Sequence, residues 1–158
     1  MLMKCLSLLA VCSMLTLVSA APAPAAPRPN PVSTDLTEHP EVLMTDYNPA
    51  LLSVFGAHVG DPTSKIQADK IDRFSGTLPG LMKLAGLYQV RYNPTNYTVT
   101  ALVVSDHATL VKIGLADRYD AEFKFGVPDI QNDRHAIYLK KRMLITYDNN
   151  NLMSVEIR

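Results

Sequence analysis

The sequence contains no tryptophan and only two cysteines, Cys5 and Cys12. Both cysteines lie within the first twenty residues, so a chain from which that segment is removed has no thiol. Such a chain cannot form disulfides, use a cysteine nucleophile or bind a metal through thiolates. Its stability must come from an apolar core, from partners or from both.

The 158 residues include 15 Lys and Arg and 15 Asp and Glu, so neither sign of charge is in excess. A strongly basic nucleic-acid binder and an acidic tail protein each need a one-sided field, so both classes are excluded. The sequence therefore predicts no nucleic-acid partner. A hydrophobic content of 47% with 19% charged residues is typical of a globular chain, and the length fits one domain.

Residues 1–20 have the layout of a secretory signal peptide. Lys4 gives a short basic start, residues 5–18 are almost wholly apolar, and Val18-Ser19-Ala20 supplies small residues for cleavage after Ala20. The apolar run is shorter than the roughly 20 residues that a membrane-spanning helix needs, and no later run is long enough. We therefore predict a secreted, extracellular protein without a membrane span. Loss of Lys4 leaves 14 basic and 15 acidic residues.

Residues 21–41 are predicted to form a flexible arm rich in proline and alanine. Five of the eleven prolines lie between Pro22 and Pro31. Alternating Ala-Pro favours extended polyproline II geometry without internal hydrogen bonds. A spacer is the favoured interpretation, and a docking peptide or a trimmed pro-segment remains open. Residues 42–158 are expected to form a single globular domain.

Short helices are predicted over residues 49–85. Asn48-Pro49 and Asp61-Pro62 each place a capping side chain before a proline at the first helical position. Apolar spacing after the first pair puts three side chains on one helix face: Leu51, Phe55 and His58. On that face, His58 is expected to be a hydrogen-bonded core histidine.

From residue 88 the hydrophobic period changes to two, which is typical of half-buried strands. No helical crossover of about 30 residues separates the segments, so the pattern predicts an antiparallel meander packed on the short helices, an α+β fold. Whether this sheet curls into a partial barrel is left open. The six predicted strands lie at residues 88–92, 97–104, 109–115, 119–127, 136–147 and 152–157.

No motif for catalysis or metal binding is present. The four histidines lack the spacing of a metal site, the loop aspartates form no calcium motif, and there is no Gly-x-Ser-x-Gly sequence. We therefore assign no catalytic residue, no metal and no cofactor, and regard a non-enzymatic protein as the favoured class. The residues concerned are His39, His58, His107, His135, Asp106, Asp117, Asp129, Asp133 and Asp148.

Two short motifs concern the surface. Asn96-Tyr97-Thr98 is an Asn-x-Thr acceptor in a predicted turn, so we predict glycosylation at Asn96 of a secreted chain. Lys140-Lys141-Arg142 lies within a predicted strand, where it is interpreted as a solvent-facing or edge stretch. A proprotein cleavage site and a contact for acidic glycans or lipid headgroups are the alternatives.

Three functions remain open. In the favoured one, the sheet encloses an apolar pocket and the protein carries a small apolar ligand. The alternative is a structural or interaction component of an extracellular matrix, egg coat or calcified layer, with matrix partners; a small secreted hydrolase of unrecognised type is the weaker one. The oligomeric state is not predicted. The expected pocket residues are Tyr88, Val90, Tyr92, Phe123, Phe125, Met143 and Met153.

Overall fold

A computed structural model describes residues 33–73 and 78–158 of this chain. The predicted signal peptide and residues 21–32 of the predicted arm lie outside the described residues. No helix within the described ranges combines the length and the hydropathy that crossing a lipid bilayer requires.

The main element of the described chain is a seven-stranded sheet in which every neighbouring pair is antiparallel. The strands run in the order β3-β4-β5-β9-β8-β7-β6, and a separate parallel pair joins β1 to β2. Their bounds are β1 Thr34–Asp35, β2 Leu52–Ser53, β3 Leu81–Lys83, β4 Tyr88–Asn93, β5 Thr98–Val104, β6 Ile130–Gln131, β7 His135–Tyr138, β8 Met143–Asp148 and β9 Asn151–Ile157.

The described part of the fold also contains two α-helices, α1 over His107–Lys112 and α2 over Arg118–Phe125. A largely antiparallel sheet with few helices confirms the α+β prediction. The described strands do not close into a barrel, because β3 and β6 remain as the two edges of the sheet.

Two of the six predicted strands are wrong, since residues 109–115 and 119–127 contribute to the two helices instead. Both helices begin at an aspartate whose carboxylate accepts a backbone N–H of the first turn: Asp106 from Ala108, and Asp117 from Asp120. The side chain of Asp120 in turn accepts the N–H of Ala116 at 2.9 Å. These caps favour helices over the strands that the alternating residues suggest.

The predicted strand over residues 136–147 is two strands, β7 and β8, joined by a tight turn at residues 139–142. Lys140-Lys141-Arg142 therefore lies in a turn and not inside a strand, which corrects the prediction. Lys141 ties this turn to the N-terminal region, because its Nζ donates to the carbonyl of Thr45 at 2.9 Å. The same nitrogen lies 5.0 Å from the ring centre of Tyr47 and 5.4 Å from that of Phe125.

The short helices predicted over residues 49–85 are 3-10 turns, and the strands β2 and β3, which were not predicted, lie between them. The cap at Asn48 is present, with its side chain accepting the N–H of Ala50, whereas Asp61 does not cap the turn that follows it. Short segments of this length gain too few helical hydrogen bonds to persist without tertiary support. The turns lie at Pro40–Met44, Pro49–Leu51, Thr63–Lys65, Ala68–Lys70 and Ala85–Leu87.

The folded unit begins earlier than the predicted arm boundary at Glu41. Strand β1 pairs with β2, and Leu36 is fully buried. The carbonyl of Leu36 also accepts the buried hydroxyl of Tyr88 at 3.1 Å. Residues 34–41 are thus part of the domain.

One face of the sheet, the inner face, carries the core. The N-terminal segment and both helices pack on it, because their buried side chains belong to the same apolar cluster as those of the central strands. Burial of this cluster is the main stabilising contribution available to a described region without cysteine. It includes Leu36, Leu43, Val54, Val90, Leu102, Leu110, Leu115, Ala121, Met143, Ile145, Leu152 and Val155.

Candidate ligand-binding site

The opposite face of the sheet, the outer face, carries one row of paired residues that crosses all seven strands. Side chains of residues that pair across neighbouring strands lie on the same face. The row combines polar residues near β4 with apolar residues near β6, and it runs Lys83, Gln89, Val103, Glu156, Leu144, Ile137, Ile130.

A buried carboxylate lies at the middle of this row. Glu156 is only 3% exposed, and each of its carboxylate oxygens accepts a hydrogen bond from an arginine. Nε of Arg91 lies 2.7 Å from Oε2, and Nε of Arg158 lies 2.8 Å from Oε1. Such charge-assisted hydrogen bonds offset the cost of removing the carboxylate from water. Arg91 on β4 and Glu156 on β9 are 65 positions apart in the sequence. Their ion pair therefore forms only when β4, β5 and β9 are paired in the correct register.

Beside Arg158, a pocket of about 280 Å³ opens on the outer face. Ile137 of β7 and its partner Leu144 of β8 form part of its wall. The remaining lining comes from the turn at residues 139–142 and its edges, and from the last strand: Leu139, Arg142, Met143 and Arg158.

The turn holds Arg142 beside the end of β9. Arg142 has a positive φ of 50°, and its carbonyl accepts the N–H of Arg158 at 2.9 Å. Among the described residues, the Arg142 guanidinium has no hydrogen-bond or ion-pair partner. A free cation beside apolar walls can bind the anionic end of a small ligand whose body contacts the walls.

The structure does not bring the seven predicted pocket residues together. Tyr88, Val90 and Met143 are buried on the inner face, and Met143 alone also lines the outer pocket. Met153 is 44% exposed, so it does not lie in the core. Leu152 and Val155 of the same strand are both buried although they lie three positions apart, because the β8–β9 register shifts between them.

The remaining three predicted pocket residues lie at separate places. Phe123 projects into solvent with 94% exposure, because residues 118–125 are helical. Phe125 is half-buried with its ring centre 5.5 Å from that of Tyr138. Tyr92 follows an irregularity in the β4–β5 register and stacks on Tyr97 with ring centres 5.9 Å apart.

Asn96 lies in the turn between β4 and β5 and is exposed. Its Oδ1 accepts the N–H of Thr98 at 3.1 Å, which orders the turn. Exposure is a requirement for modification, and glycosylation at Asn96 stays a prediction.

Three histidines of the described chain make separate local contacts. His39 pairs with Glu41 at 3.1 Å, His107 Nδ1 lies 3.0 Å from the carbonyl of Leu152, and His135 lies on β7. No group of three or more His, Cys, Asp or Glu side chains that could hold a metal occurs within residues 33–73 and 78–158.

The fourth histidine corrects a prediction. His58 lies in the loop that follows β2 and not on an apolar helix face, and it is half-buried. Its ring nitrogens contact Ser33 and Asp61, two residues that the sequence analysis did not connect. Ser33 is 25 positions away in the sequence, so only the pairing of β1 with β2 makes this contact predictable.

Comparison with known proteins adds no relative. No protein-family model, no curated protein and no solved structure matches the chain. The function must therefore be argued from the geometry of the described residues.

Proposed function

We propose that this chain is a secreted protein that binds a small ligand with an apolar body and an anionic headgroup. The binding site is the outer pocket between β7, β8 and Arg158. This proposal keeps the carrier function that the sequence favours, with a different set of lining residues. Binding and carriage need no catalytic group.

The proposal rests on the combination of apolar walls with a guanidinium that has no partner within residues 33–73 and 78–158. Ile137, Leu139 and Leu144 offer hydrocarbon surface to the body of a ligand. Arg142 offers a planar donor that matches the two oxygens of a carboxylate. A volume of about 280 Å³ is near the lower end of the range for small-molecule pockets, which favours a short acyl or aryl acid.

Titration with a small fluorescent aryl acid, 2-naphthoic acid, tests the proposal directly. We expect Arg142→Gln to weaken binding about tenfold, because it removes a charge-assisted hydrogen bond worth about 1.5 kcal/mol. Lys140→Gln is the matched control, since Lys140 lies in the same turn, is exposed and does not line the pocket.

A second probe separates the contribution of the ligand's headgroup from that of its apolar body. The corresponding uncharged alcohol should bind the unaltered protein more weakly than the acid does, and it should bind Arg142→Gln with unchanged affinity. Equal affinities of Arg142→Gln and Lys140→Gln for the acid, or binding that does not saturate, would contradict the proposal. Native mass spectrometry of the secreted protein then identifies a ligand that is lost on denaturation.

The matrix function is a second candidate, and exposed aromatic side chains on α2 favour it. Tyr119 is 73% exposed and Phe123 is 94% exposed, and four residues apart they lie on one helix face. A ligand-free oligomer in native mass spectrometry would support this alternative over the carrier.

A further inference from the structure

A second site, built from different elements, contains a serine, a histidine and an aspartate joined by hydrogen bonds. Oγ of Ser33 lies 2.7 Å from Nε2 of His58. Nδ1 of the same ring lies 3.1 Å from Oδ2 of Asp61. The two ring nitrogens therefore contact a hydroxyl on one side and a carboxylate on the other, which is the order of contacts that activates a serine nucleophile.

The serine end of the site is held by the parallel pair β1–β2. Ser33 directly precedes β1, and the pairing of Asp35 with Ser53 brings the two chain segments side by side. The carboxylate of Asp35 accepts hydrogen bonds from Oγ of Ser53 at 3.1 Å and from the N–H of Gly56 at 2.7 Å. Asp35 thereby fixes the loop that leads to His58.

The aspartate end is held by the main sheet. Val99 of β5 donates its N–H to the carbonyl of Asp61 and accepts the N–H of Gly60, both at 2.8 Å. The Asp61 carboxylate also accepts hydrogen bonds from Nζ of Lys65 at 2.7 Å and from the N–H of His58 at 2.9 Å. The hydrogen bond from Lys65 is the main cause that lowers the pKa of Asp61 to about 2, with the contacts from His58 adding to it.

An ionised Asp61 defines the role of each ring nitrogen. A carboxylate only accepts hydrogen bonds, so Nδ1 of His58 must carry a proton toward it. In the neutral ring, Nε2 is then the acceptor, and the hydroxyl of Ser33 donates to it. This is the tautomer that a general base for Ser33 requires.

We propose that Ser33 is an exposed nucleophile, with His58 as its general base and Asp61 as a positioning residue, and that the chain hydrolyses accessible carboxylic esters. Oγ of Ser33 bonds to the ester carbonyl carbon while its proton passes to Nε2 of His58. The C–O bond to the alcohol breaks, and that proton leaves with the alcohol. Water then attacks the acyl-serine, His58 takes one of its protons and returns it to Ser33, and the acid is released.

Esters are the substrate class because Ser33 is exposed and its site is open to solvent. An alkoxide or phenolate leaves a tetrahedral intermediate more readily than an amine, so an open site is better suited to esters than to amides. The proposal is independent of the outer pocket, because it rests on none of the residues that line it.

The first test uses the full chain secreted from cultured cells and a biotinylated fluorophosphonate, which bonds to activated serine hydroxyls. We expect one label per chain, on the peptide that contains Ser33, together with hydrolysis of p-nitrophenyl acetate. Ser33→Ala should abolish the label and lower the rate at least about hundredfold. Ser64→Ala is the matched control, since Ser64 is an exposed serine that contacts neither Ser33 nor His58, and it should keep the label.

The second test examines Asp61. Asp61→Asn should lower kcat with little change in KM, because it leaves His58 without the partner that fixes its tautomer. Asp69→Asn is the matched control, because Asp69 is exposed, pairs with Lys70 and does not contact His58, so it should retain kcat. An unlabelled Ser33 in the folded protein, or equal rates for the unaltered chain and Ser33→Ala, would overturn the proposal.

Discussion

The carboxylate of Asp35 organises the N-terminal part of the domain through several hydrogen bonds. Its two carboxylate oxygens accept hydrogen bonds from the N–H and hydroxyl of Thr37, the hydroxyl of Ser53, and the N–H groups of Phe55 and Gly56. Burial raises the pKa of Asp35, but these hydrogen bonds together outweigh it, so the pKa lies below its ordinary value. The ionised form is therefore the one that stabilises the fold.

Asp35→Asn should lower the free energy of unfolding at pH 7 by about 1–2 kcal/mol, because an amide cannot accept all of these hydrogen bonds. The folded-state pKa of Asp35 is depressed, so its contribution is present above about pH 4 and is lost as the pH falls through the folded pKa. The difference between the two proteins should shrink accordingly as the pH falls below about 4. Urea unfolding at several pH values measures it.

Asp133→Asn is the control for this prediction, because Asp133 is exposed and its side chain makes no hydrogen bond within the described residues. It should change the free energy of unfolding by less than about 0.5 kcal/mol. A constant difference between the unaltered protein and Asp35→Asn across the whole pH range would contradict the assigned role of the charge.

Among the secondary-structure elements, helix α2 has a local sequence with two competing patterns, one typical of a strand and one typical of a helix. Tyr119, Ala121, Phe123 and Phe125 alternate with polar residues, which is typical of a strand. The Asp117 carboxylate accepts the N–H of Asp120 in the first helical turn, and the Asp120 carboxylate accepts the N–H of Ala116 just before the helix. Only Ala121 of the four alternating residues is fully buried, so packing favours the helix.

Alanine substitutions at two phenylalanines distinguish a helix from a strand in solution. Phe125→Ala should lower the free energy of unfolding by about 1–3 kcal/mol, because its ring packs on Tyr138 and under Lys141. Phe123→Ala should cost less than about 0.5 kcal/mol, since its side chain is in solvent. A strand would place both rings on one face, and equal losses in urea unfolding would contradict the helix.

The hairpin of β7 and β8 explains why the outer pocket could not be predicted from sequence. Residues 136–147 are continuously strand-forming or basic, and the turn lacks the Asn-Gly or Asp-Gly pairs that mark hairpins. Arg142 takes the positive φ that glycine or asparagine more often adopts. The turn is supported by distant contacts, among them the hydroxyl of Tyr47 donating to the carbonyl of Lys141 at 2.9 Å.

At the scale of the whole molecule, the N-terminal segment completes the core. Leu36 and Leu43 are fully buried with the side chains of the central strands, although they are far from those strands in sequence. The segment that carries Leu36 follows a proline-rich stretch, and its composition alone did not separate it from the predicted arm. Its role in the core depends on the strands that it covers.

Leu36→Ala tests whether this segment is part of the folded unit. The expected loss is about 2–5 kcal/mol of unfolding free energy, because a fully buried leucine leaves both lost transfer energy and a cavity. Glu38→Ala is the matched control two residues away, exposed, with an expected change below about 0.5 kcal/mol. Similar unfolding midpoints for the two variants would show that residues 34–41 contribute little to the core.

The α+β class and the strands around Val90, Leu102 and Val155 can be predicted from the sequence, because a period of two coincides there with β-branched residues. The sequence also located the cap at Asn48. These properties depend on residues that are near one another in the chain, so a local pattern is sufficient to predict them.

The candidate sites, in contrast, depend on contacts that form only in the folded chain. The Glu156 carboxylate binds Arg91 across three strands, and Ser33 contacts His58 across the β1–β2 pair. Arg142 reaches the outer pocket through a turn that Tyr47 and Lys141 hold. Each of these contacts joins residues that are distant in sequence, and their energy is gained only after the strand registers are set. A local sequence pattern contains no information on which strands pair or in which register. The sites therefore could not be predicted before the fold was known.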